Sequence, residues 1–267
     1  KFVFVIINRI SLKFYYFKKK FLFSKRSQIE AKAIEKISLY YPNKRRQTIS
    51  DITLVSVATK EVEKAAMALR YSMLDINFEK VLLISNYKPW NLGNNISFQL
   101  INSFEDVGEW GKFIVFNLYK HINTKYILLI HPDGFIVNPE MWEDEFKKYD
   151  YIGAPWPKPK DNFSYKTQKG EIINVGNSVS LRSKKLLELP HKIGLKWEKY
   201  YGNYHEDGFI CVHNRDILIS NGIKFADRDI AYKFGIETFI KEYKSINSFT
   251  FHKWLKSNKR YPNFKEY

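Results

Sequence analysis

Short apolar segments alternate with amphipathic stretches between residues 50 and 153, and this alternation limits the possible folds more than any other feature of the chain. The clearest segment is Tyr126–Ile130, which is wholly apolar, is flanked by polar turns and predicts a buried strand. Strands that alternate with helices over about 100 residues are typical of α/β domains with a mostly parallel sheet. We therefore expect an α/β fold with a mostly parallel, Rossmann-like central sheet flanked by helices.

The remaining elements are predicted from the same periodicities. Further strands are expected at 52–57, 80–84, 96–100 and 151–153, and helices at 61–74, 109–119, 141–146 and 183–189. After residue 160 the pattern becomes irregular, as expected of an acceptor-binding or lid region.

The positive charge is concentrated in the first 47 residues. This segment holds 13 lysines and arginines against two acids, whereas the whole chain of 267 residues has a formal net charge of +16. The segment ends in Tyr41–Arg46, where a proline is followed by a run of cations. We therefore predict a basic, aromatic-rich and helical N-terminal extension at 1–47 and one domain at 48–267.

Three interpretations of the N-terminal extension are open. Its interleaved rings and ammonium groups suit an interfacial helix on an anionic membrane surface, where each cation contributes about 1 kcal/mol. The same composition is compatible with a solvated helix packed on its neighbour. Binding to nucleic acid is the third interpretation, but the sequence has no glycine-rich or RNP-type motif to support it.

Cysteine usage and hydropathy exclude several classes of protein. The lone cysteine, Cys211, excludes a disulfide framework and a four-cysteine zinc site, and it suits a reducing compartment. Arg9 and Lys13 interrupt the one long apolar stretch, so no membrane-spanning helix is expected there. That stretch resembles the start of a signal peptide, but more cations follow it and a small-residue cleavage site is missing. We expect a cytoplasmic chain, soluble or peripheral on the inner face of a membrane.

Candidate site residues follow the apolar strands, because ligands of open α/β sheets bind at the carboxyl ends of the strands. The sequence Ala58-Thr59-Lys60 follows the first strand, and His131-Pro132-Asp133-Gly134 follows Tyr126–Ile130. Asp133 is a candidate ligand for a divalent cation on a diphosphate, with His131 as a second ligand or as a donor to phosphate. The alternative for this tetrapeptide is a simple tight turn.

Two further groups lie downstream. Gly176-Asn177 permits a close backbone approach or a positive φ, and Arg182 offers a bidentate fork to phosphate or carboxylate. The alternative for this segment, 175–183, is a turn that precedes a helix. The pair Glu206-Asp207 lies at the start of an apolar helix. One interpretation is that the pair supplies a general base that deprotonates a hydroxyl. The alternative is that both acids only cap the helix, because its dipole favours negative charge at this end.

Taken in order, these motifs resemble the GT-A-type glycosyltransferases. The strand is followed by an acid triplet, a glycine-containing loop, a Glu-Asp pair and a late histidine, His252. The triplet corresponds to the Asp-x-Asp motif of that fold and the pair to its x-Glu-Asp motif. More narrowly, several segments are similar to the DUF5672 family, a glycosyltransferase-like group, over roughly residues 50–255; they are Ile130–Phe135, Tyr149–Trp156, Gly176–Arg182 and Ala231–Glu237.

The resemblance implies transfer of a sugar from a nucleotide-sugar donor to a hydroxyl of a glycan or lipid-linked acceptor, in the synthesis of surface polysaccharide or another glycoconjugate. It implies an inverting reaction with Asp207 as the base, Glu206 being the other candidate, and a Mn²⁺ or Mg²⁺ ion on Asp133, His131 and His252. The donor would contact Val57, Ala58, Thr59, Lys60, His131, Asp133 and Lys253. The acceptor would contact Trp156, Gly176, Asn177, Ser178 and Arg182, although ordinary core burial is the alternative for Trp156. Glu237 is expected to support the site.

The chain departs from the pattern of the resemblance at two places. His131 stands where the motif has its first acid, which leaves metal dependence open, and the loop Gly176–Ser180 lacks the extra glycine usual in the family. A catalytically inactive glycan- or nucleotide-binding relative is therefore the main alternative. A nucleotidyltransferase would need a glycine-rich basic loop after the first strand, and a nucleic-acid-binding protein would leave the Glu-Asp pair unexplained.

Overall fold

The computed structural model describes residues 47–89, 92–156, 166–167, 169–171, 173, 175–198, 205–238, 240 and 247–253. The predictions for the basic extension, including its helical structure and its contact with a membrane, fall at residues 1–46 and so lie outside the described residues. Within the described part, no helix is long and apolar enough to cross a membrane.

A six-stranded mixed sheet forms the centre of the fold, in the order β3-β2-β1-β4-β6-β5. Strands β1 to β4 pair in parallel, whereas β6 is antiparallel to both of its neighbours. The predicted α/β class with a mostly parallel sheet is confirmed. The strands are β1 (Gln47–Val57), β2 (Ile76–Ser85), β3 (Ser97–Leu100), β4 (Tyr126–Ile130), β5 (Tyr151–Pro155) and β6 (Val175–Ser183).

Helices and a second small sheet complete the described part of the chain. Strands β7 (Gly235–Ile236) and β8 (Thr250–Phe251) form a parallel pair. The α-helices are α1 (Val62–Ser72), α2 (Val107–Phe116), α3 (Lys184–Lys192), α4 (Glu206–Gly208), α5 (Arg215–Ser220) and α6 (Arg228–Phe234). A π-helical turn, Phe209–His213, connects α4 to α5, and 3₁₀ turns occur at Leu118–His121, Pro139–Met141 and Asp144–Lys148.

The central strands are apolar on both faces because both faces are covered. Strand β4 has four fully buried residues, and its partner β1 is buried from Ile52 to Val57. One face packs with Ile114 of α2, and α1 contacts β1, β2 and β4. A second apolar cluster forms around Trp156 and Phe209. Continuous apolar runs of this kind are typical of parallel strands in α/β proteins.

The prediction of a loop or turn at residues 175–183 is wrong, because this segment is the nine-residue strand β6. The segment was predicted as a loop or turn because it contains Ser, Asn and Gly, which are typical of turns. Inside the sheet these side chains bond to one another: Arg182 Nε donates to Ser180 Oγ at 2.8 Å, and Ser180 Oγ donates to the carbonyl of Ser178 at 2.8 Å. The predicted helix after this segment is confirmed as α3, which Ser183 caps by accepting the N–H of Leu186 at 3.1 Å.

Two helix predictions are also wrong in part. The helix expected at 141–146 is replaced by two 3₁₀ turns, and the helix expected at 109–119 ends at Phe116 and is followed by a separate 3₁₀ turn. Strands β1 and β2 begin several residues before their predicted starts, with alternating exposed and buried residues there. The apolar runs that indicated these strands cover only their buried halves.

The order of strands places a switch point between β1 and β4. From β1 the chain adds β2 and β3 on one side, and it then returns to add β4 on the other side of β1. The connections that leave the carboxyl ends of β1 and β4 therefore diverge. A crevice at such a switch point is where open α/β sheets bind their ligands.

Candidate active site

The residues after β4 form a tight turn that presents Asp133 at its tip. The N–H of His131 donates to the carbonyl of Gly134 at 2.7 Å, and the N–H of Gly134 donates back at 3.2 Å. The Asp133 side chain is 54% exposed. The turn interpretation and the site interpretation of this segment are therefore compatible, because the turn places a carboxylate at the carboxyl end of a central strand.

Gly134 allows this turn to lie directly against β8 and β6. A Cβ atom at this position would lie 2.9 Å from the carbonyl of Phe251, 2.8 Å from the His252 ring and 2.6 Å from Val179. Real Cβ atoms do not approach neighbours so closely, so a side chain here would force β8 away. The glycine thus brings His252 beside Asp133.

The His252 ring lies between two carboxylates. Its Nε2 is 3.6 Å from Asp133 Oδ1, and its Nδ1 is 3.5 Å from Glu237 Oε1. The position of the ring is set by the backbone, because the N–H of His252 donates to the carbonyl of Ile236 at 2.9 Å, next to the β7–β8 pair. The His131 ring lies 5.2 Å away, so the two histidines predicted for one site are brought together.

Glu237 lies within 3.5 Å of both His252 and Lys253. Lys253 Nζ lies 2.6 Å from Glu237 Oε1, and the Glu237 side chain is almost buried. Burial alone would raise the pKa of Glu237, but hydrogen bonds from His252 and Lys253 and their charges outweigh it and lower the pKa to about 2. Glu237 is therefore an anion near neutral pH, and its supporting role stays a prediction.

His131 is connected to Glu206 through one hydroxyl group. Ser178 Oγ lies 2.8 Å from His131 Nε2 and 2.7 Å from Glu206 Oε1. A carboxylate only accepts, so Ser178 donates to Glu206 and accepts the Nε2–H of His131. Burial lowers the pKa of His131 well below its ordinary value, and the nearby His252 and Arg182 act in the same direction. His131 is thus a neutral imidazole that carries its proton on Nε2.

Arg182 is fully buried and pairs with Glu206 inside the protein. Its Nη2 lies 2.6 Å from Glu206 Oε1, and its guanidinium carbon lies 5.2 Å from the centre of the Tyr151 ring. The sequence predicted that this fork would bind an acceptor. In the structure a carboxylate of the chain itself occupies it, as expected for a buried cation, which needs a partner.

Asp207 is the partly exposed member of the acid pair, whereas Glu206 is 3% exposed. Burial raises the pKa of Asp207 to about 7, and the negative charge of Glu206 adds to this effect. The N–H of Gly208, which donates to Asp207 Oδ1 at 2.8 Å, acts in the opposite direction. A carboxylate that titrates near neutral pH is suited to accept a proton from a hydroxyl group.

Asp207 lies in the first turn of a helix that changes type after that turn. The α-turn Glu206–Gly208 is followed directly by the π-helical turn, in which the N–H of Asn214 donates to the carbonyl of Phe209 at 3.0 Å. The prediction that the acid pair starts an apolar helical segment is confirmed. Turns of π-helix are frequently found at functional sites.

Trp110 connects the carboxyl end of β1 to the His131 ring. The indole N–H of Trp110 donates to the carbonyl of Val57 at 2.9 Å, and its ring lies 5.3 Å from the His131 ring. The side chains of Val57 and Ala58 are buried, so they form the floor below the carboxyl end of β1.

Thr59 and Lys60 lie at the rim of this floor. Thr59 Oγ1 accepts the N–H of Phe104 at 3.1 Å, which holds the loop before α2 against the end of β1. Lys60 is exposed, and its Nζ is 3.5 Å from the carbonyl of Glu105. Among Val57, Ala58, Thr59 and Lys60, it is therefore Lys60 that presents a charged group to solvent.

The five residues predicted to contact an acceptor are all buried. Trp156 is 5% exposed, and its ring lies directly over Gly176, where a Cβ atom would come within 2.2 Å of it. Asn177 has a positive φ of 85° and accepts the N–H of Val179 on its Oδ1 at 3.0 Å. Direct contact between an acceptor and this set, which also includes Ser178 and Arg182, stays a prediction that the packing does not favour.

A metal ion would find two ligands in the predicted set. Asp133 and His252 lie side by side with accessible atoms, whereas the Nε2 of His131 is used by Ser178. Among the described residues, no group of three histidine, cysteine, aspartate or glutamate side chains is arranged to hold a metal. The pair fits an ion that takes its remaining ligands from phosphate oxygens and water, as Mg²⁺ commonly does.

The comparison with protein families covers this constellation except for Lys253 and the end of β1. The family model described as "Protein of unknown function (DUF5672)" matches residues 97–252, more than half of the chain. The chain belongs to the DUF5672 family. A comparison with curated proteins found no match. The DUF5672 region begins at β3, contains the Asp133 turn, β6 and the Glu206–Asp207 pair, and ends at His252.

Sequence reasoning missed two members of the site. Trp110 links Val57 to His131 and lies within the DUF5672 region, but a single tryptophan on a predicted helix carries no signal for such a contact. The Tyr151 ring lies under the guanidinium group of Arg182, with 5.2 Å between the ring centre and the guanidinium carbon, and the Tyr151 hydroxyl donates to the carbonyl of Asn177. It stands in the Asp-Tyr-Ile-Gly-Ala-Pro-Trp run that carries the family resemblance, which was the one available signal.

Proposed function

We propose that this DUF5672 chain is a glycosyltransferase of the GT-A type. It would move a sugar from a nucleotide-sugar donor to a hydroxyl of a glycan or lipid-linked acceptor. One observation carries the proposal: a partly exposed carboxylate with a pKa of about 7, Asp207, belongs to a constellation that reaches the carboxyl end of β4 through Glu206, Ser178 and His131. A base and an anion-binding region at one switch point are what this transfer requires.

The donor half of the site would be the region of the β4 turn and β8. A nucleoside diphosphate leaves with two phosphates, and cations that face it lower the barrier to its departure. Lys253 supplies such a group, and Lys60 supplies another from the end of β1. A Mn²⁺ or Mg²⁺ ion on Asp133 and His252 would add Lewis-acid neutralisation of the diphosphate.

The acceptor half would be centred on Asp207. The acceptor hydroxyl becomes a better nucleophile as it loses its proton, and a positioned base contributes typically 10²–10⁴-fold in rate. A base opposite the leaving group favours direct displacement, so we propose that the reaction inverts the configuration at the sugar carbon.

An inactive binding relative is the second candidate, because the β4 turn supplies one carboxylate where the metal motif of the resemblance has two. Such a protein would bind a nucleotide or glycan but release no product. Turnover therefore distinguishes the two candidates, whereas binding does not.

The basic extension leads us to propose where the reaction takes place. Residues 1–47 would hold the protein on the anionic inner face of a membrane, close to lipid-linked acceptors, with the domain in the cytoplasm. The charge of the segment supports this proposal, and a role in nucleic-acid binding is not proposed.

A thermal-shift panel of nucleotides and nucleotide sugars, with and without Mn²⁺ or Mg²⁺, tests the donor site. A ligand at 100 times its dissociation constant adds about 2.7 kcal/mol to stability, which raises the melting temperature measurably. We expect one nucleotide class to stabilise the protein and Asp133→Ala to weaken that effect, whereas Asp144→Ala, at an exposed acid outside the site, leaves it unchanged. Absence of a shift with every nucleotide would contradict the proposed donor site.

A further inference from the structure

Two buried side chains converge on a single oxygen of Glu206. Ser178 Oγ and Arg182 Nη2 both donate to Oε1, at 2.7 and 2.6 Å. The second oxygen, Oε2, accepts the backbone N–H of Asp207. Both oxygens of Glu206 are thus engaged by the protein, and the side chain is closed off from solvent.

We propose that Glu206 is a positioning residue and not a second base. Ser178 and Arg182 hold it as a fixed anion beside Asp207, and this anion sets the proton affinity with which Asp207 acts. The inference rests on the proposed function, since it assigns a role within the same site.

The burial of Glu206 argues against a direct role in proton transfer. A general base must come within hydrogen-bonding distance of the hydroxyl that it deprotonates. Glu206 is 3% exposed and already accepts three hydrogen bonds, so an acceptor hydroxyl has no path to it in this arrangement. Asp207 follows it in the chain and is the acid that reaches the surface.

The charges around Asp207 explain why a fixed neighbouring anion matters. Glu206 and Glu237 oppose the ionisation of Asp207, whereas Arg182 and the N–H of Gly208 favour it. Tyr151 and Cys211 also interact with Asp207, and burial raises the pKa of each, so both are neutral near pH 7. If the charge of Glu206 were removed, burial would still raise the pKa of Asp207, but Arg182 would remain as a cation without its counterion, so the pKa of Asp207 would fall.

The test is the pKa of Asp207 in variants of Glu206, measured by ¹³C NMR of the side-chain carboxyl carbon in the full chain. The signal is assigned by its absence from Asp207→Asn. In Glu206→Gln we expect the acid dissociation constant of Asp207 to rise about tenfold or more, because a nearby charge moves a carboxyl pKa by about 1–3 units. Glu206→Asp, which keeps the charge, should restore most of the original value. Glu143→Gln, which removes an acid paired with Lys233 outside the site, should change nothing.

A second pair of variants covers the case in which Glu206→Gln does not fold. Ser178→Ala removes one of the two side-chain donors to Glu206, so the negative charge of Glu206 is less neutralised and Asp207 should ionise at higher pH. Ser56→Ala is the matched control, because Ser56 is equally buried in the sheet and donates to the carbonyl of Ile130 at 3.0 Å. An Asp207 pKa that is the same in Glu206→Gln, or in Ser178→Ala where only that variant folds, would overturn the inference.

These outcomes are independent of sugar transfer. The NMR titration needs no substrate, so it reports on the role of Glu206 even if no donor is found. Conversely, transfer activity that survives Asp207→Asn would refute the proposed base without changing the measured pKa values. The failure of one proposal is therefore distinguishable from the failure of the other.

Discussion

Asp207 combines a raised proton affinity with access to solvent, and this combination has a cost in stability. A carboxyl group whose pKa is about 7 in the folded protein and 3.8 as the ordinary value binds its proton more tightly when folded. Its contribution to stability is therefore present below pH 3.8 and is lost as the pH rises through 7. Functional sites commonly carry local instability of this kind.

We accordingly predict that Asp207→Asn stabilises the protein at pH 8. The amide carries no charge to bury and keeps an oxygen for the N–H of Gly208, so the free energy of unfolding should rise by about 1–3 kcal/mol. The gain should shrink as the pH falls toward 4. Urea unfolding at the two pH values measures it, with the exposed Asp144→Asn as the control. Equal stability of Asp207→Asn and the unmodified protein at pH 8 would show that the buried charge of Asp207 does not destabilise the folded protein.

At the scale of single elements, the β4 turn and β8 depend on each other through Gly134. The turn places Asp133 and β8 places His252, and the glycine between them removes the side chain that would separate the two. The carbonyl of Phe135 also accepts the N–H of Phe251 at 3.1 Å, which fixes the register of this contact.

Gly134→Ala should therefore disturb both stability and donor binding. The added methyl group meets the backbone of Phe251 and the His252 ring, and overpacking of this kind typically costs about 1–3 kcal/mol. Gly208→Ala is a suitable comparison, because its Cβ would meet nothing closer than 3.7 Å in a helical backbone. Equal unfolding midpoints for the two variants would argue against tight packing of the turn on β8.

Elements differed in how far the sequence revealed them, and the reason is physical. Strand β4 was predicted to the residue because it is fully apolar and lies between two strands. Strand β6 was missed because its buried Ser178, Ser180 and Arg182 form hydrogen bonds with each other and with Glu206, which lies 24 residues beyond Arg182. A polar strand whose hydrogen-bond partners lie on a distant helix produces no pattern that can be recognised in the local sequence. Most site residues were named in advance, but Trp110 and Tyr151 were not, and neither was the connection from His131 through Ser178 to Glu206.

On the scale of the whole molecule, the region matched by the family model overlaps the switch point. The crevice between the ends of β1 and β4 is where the fold favours a ligand, and the DUF5672 region contains Asp133, Glu206, Asp207, Glu237 and His252 around it, whereas Lys60 and Lys253 lie outside that region. The position of Asp133 follows from strand order, whereas His252 and Asp207 are placed by the packing of β8 on the Gly134 turn and by the bond from Ser178 to Glu206, which periodicity alone could not predict.

The basic extension gives a prediction about the full chain. Deletion of residues 1–46, which leaves β1 intact, should abolish sedimentation with vesicles that contain anionic lipid and leave catalysis on a dissolved acceptor unchanged. Replacement of Lys18, Lys19 and Lys20 by glutamine should weaken vesicle binding in part, and vesicles of neutral lipid serve as the control. Equal binding by the shortened chain would show that another surface holds the membrane.

The measurement that tests the account most directly is sugar transfer by the full chain and by Asp207→Asn. Release of nucleoside diphosphate would be followed with the donor identified by thermal shift, an acceptor that carries free hydroxyl groups, and Asp144→Asn as the matched control. We predict that Asp207→Asn remains folded but loses transfer at least 100-fold, the scale of a missing base. We also predict that the rate of the unmodified protein falls as the pH drops below about 7, because Asp207 becomes protonated there. Near-normal transfer by Asp207→Asn would contradict the account.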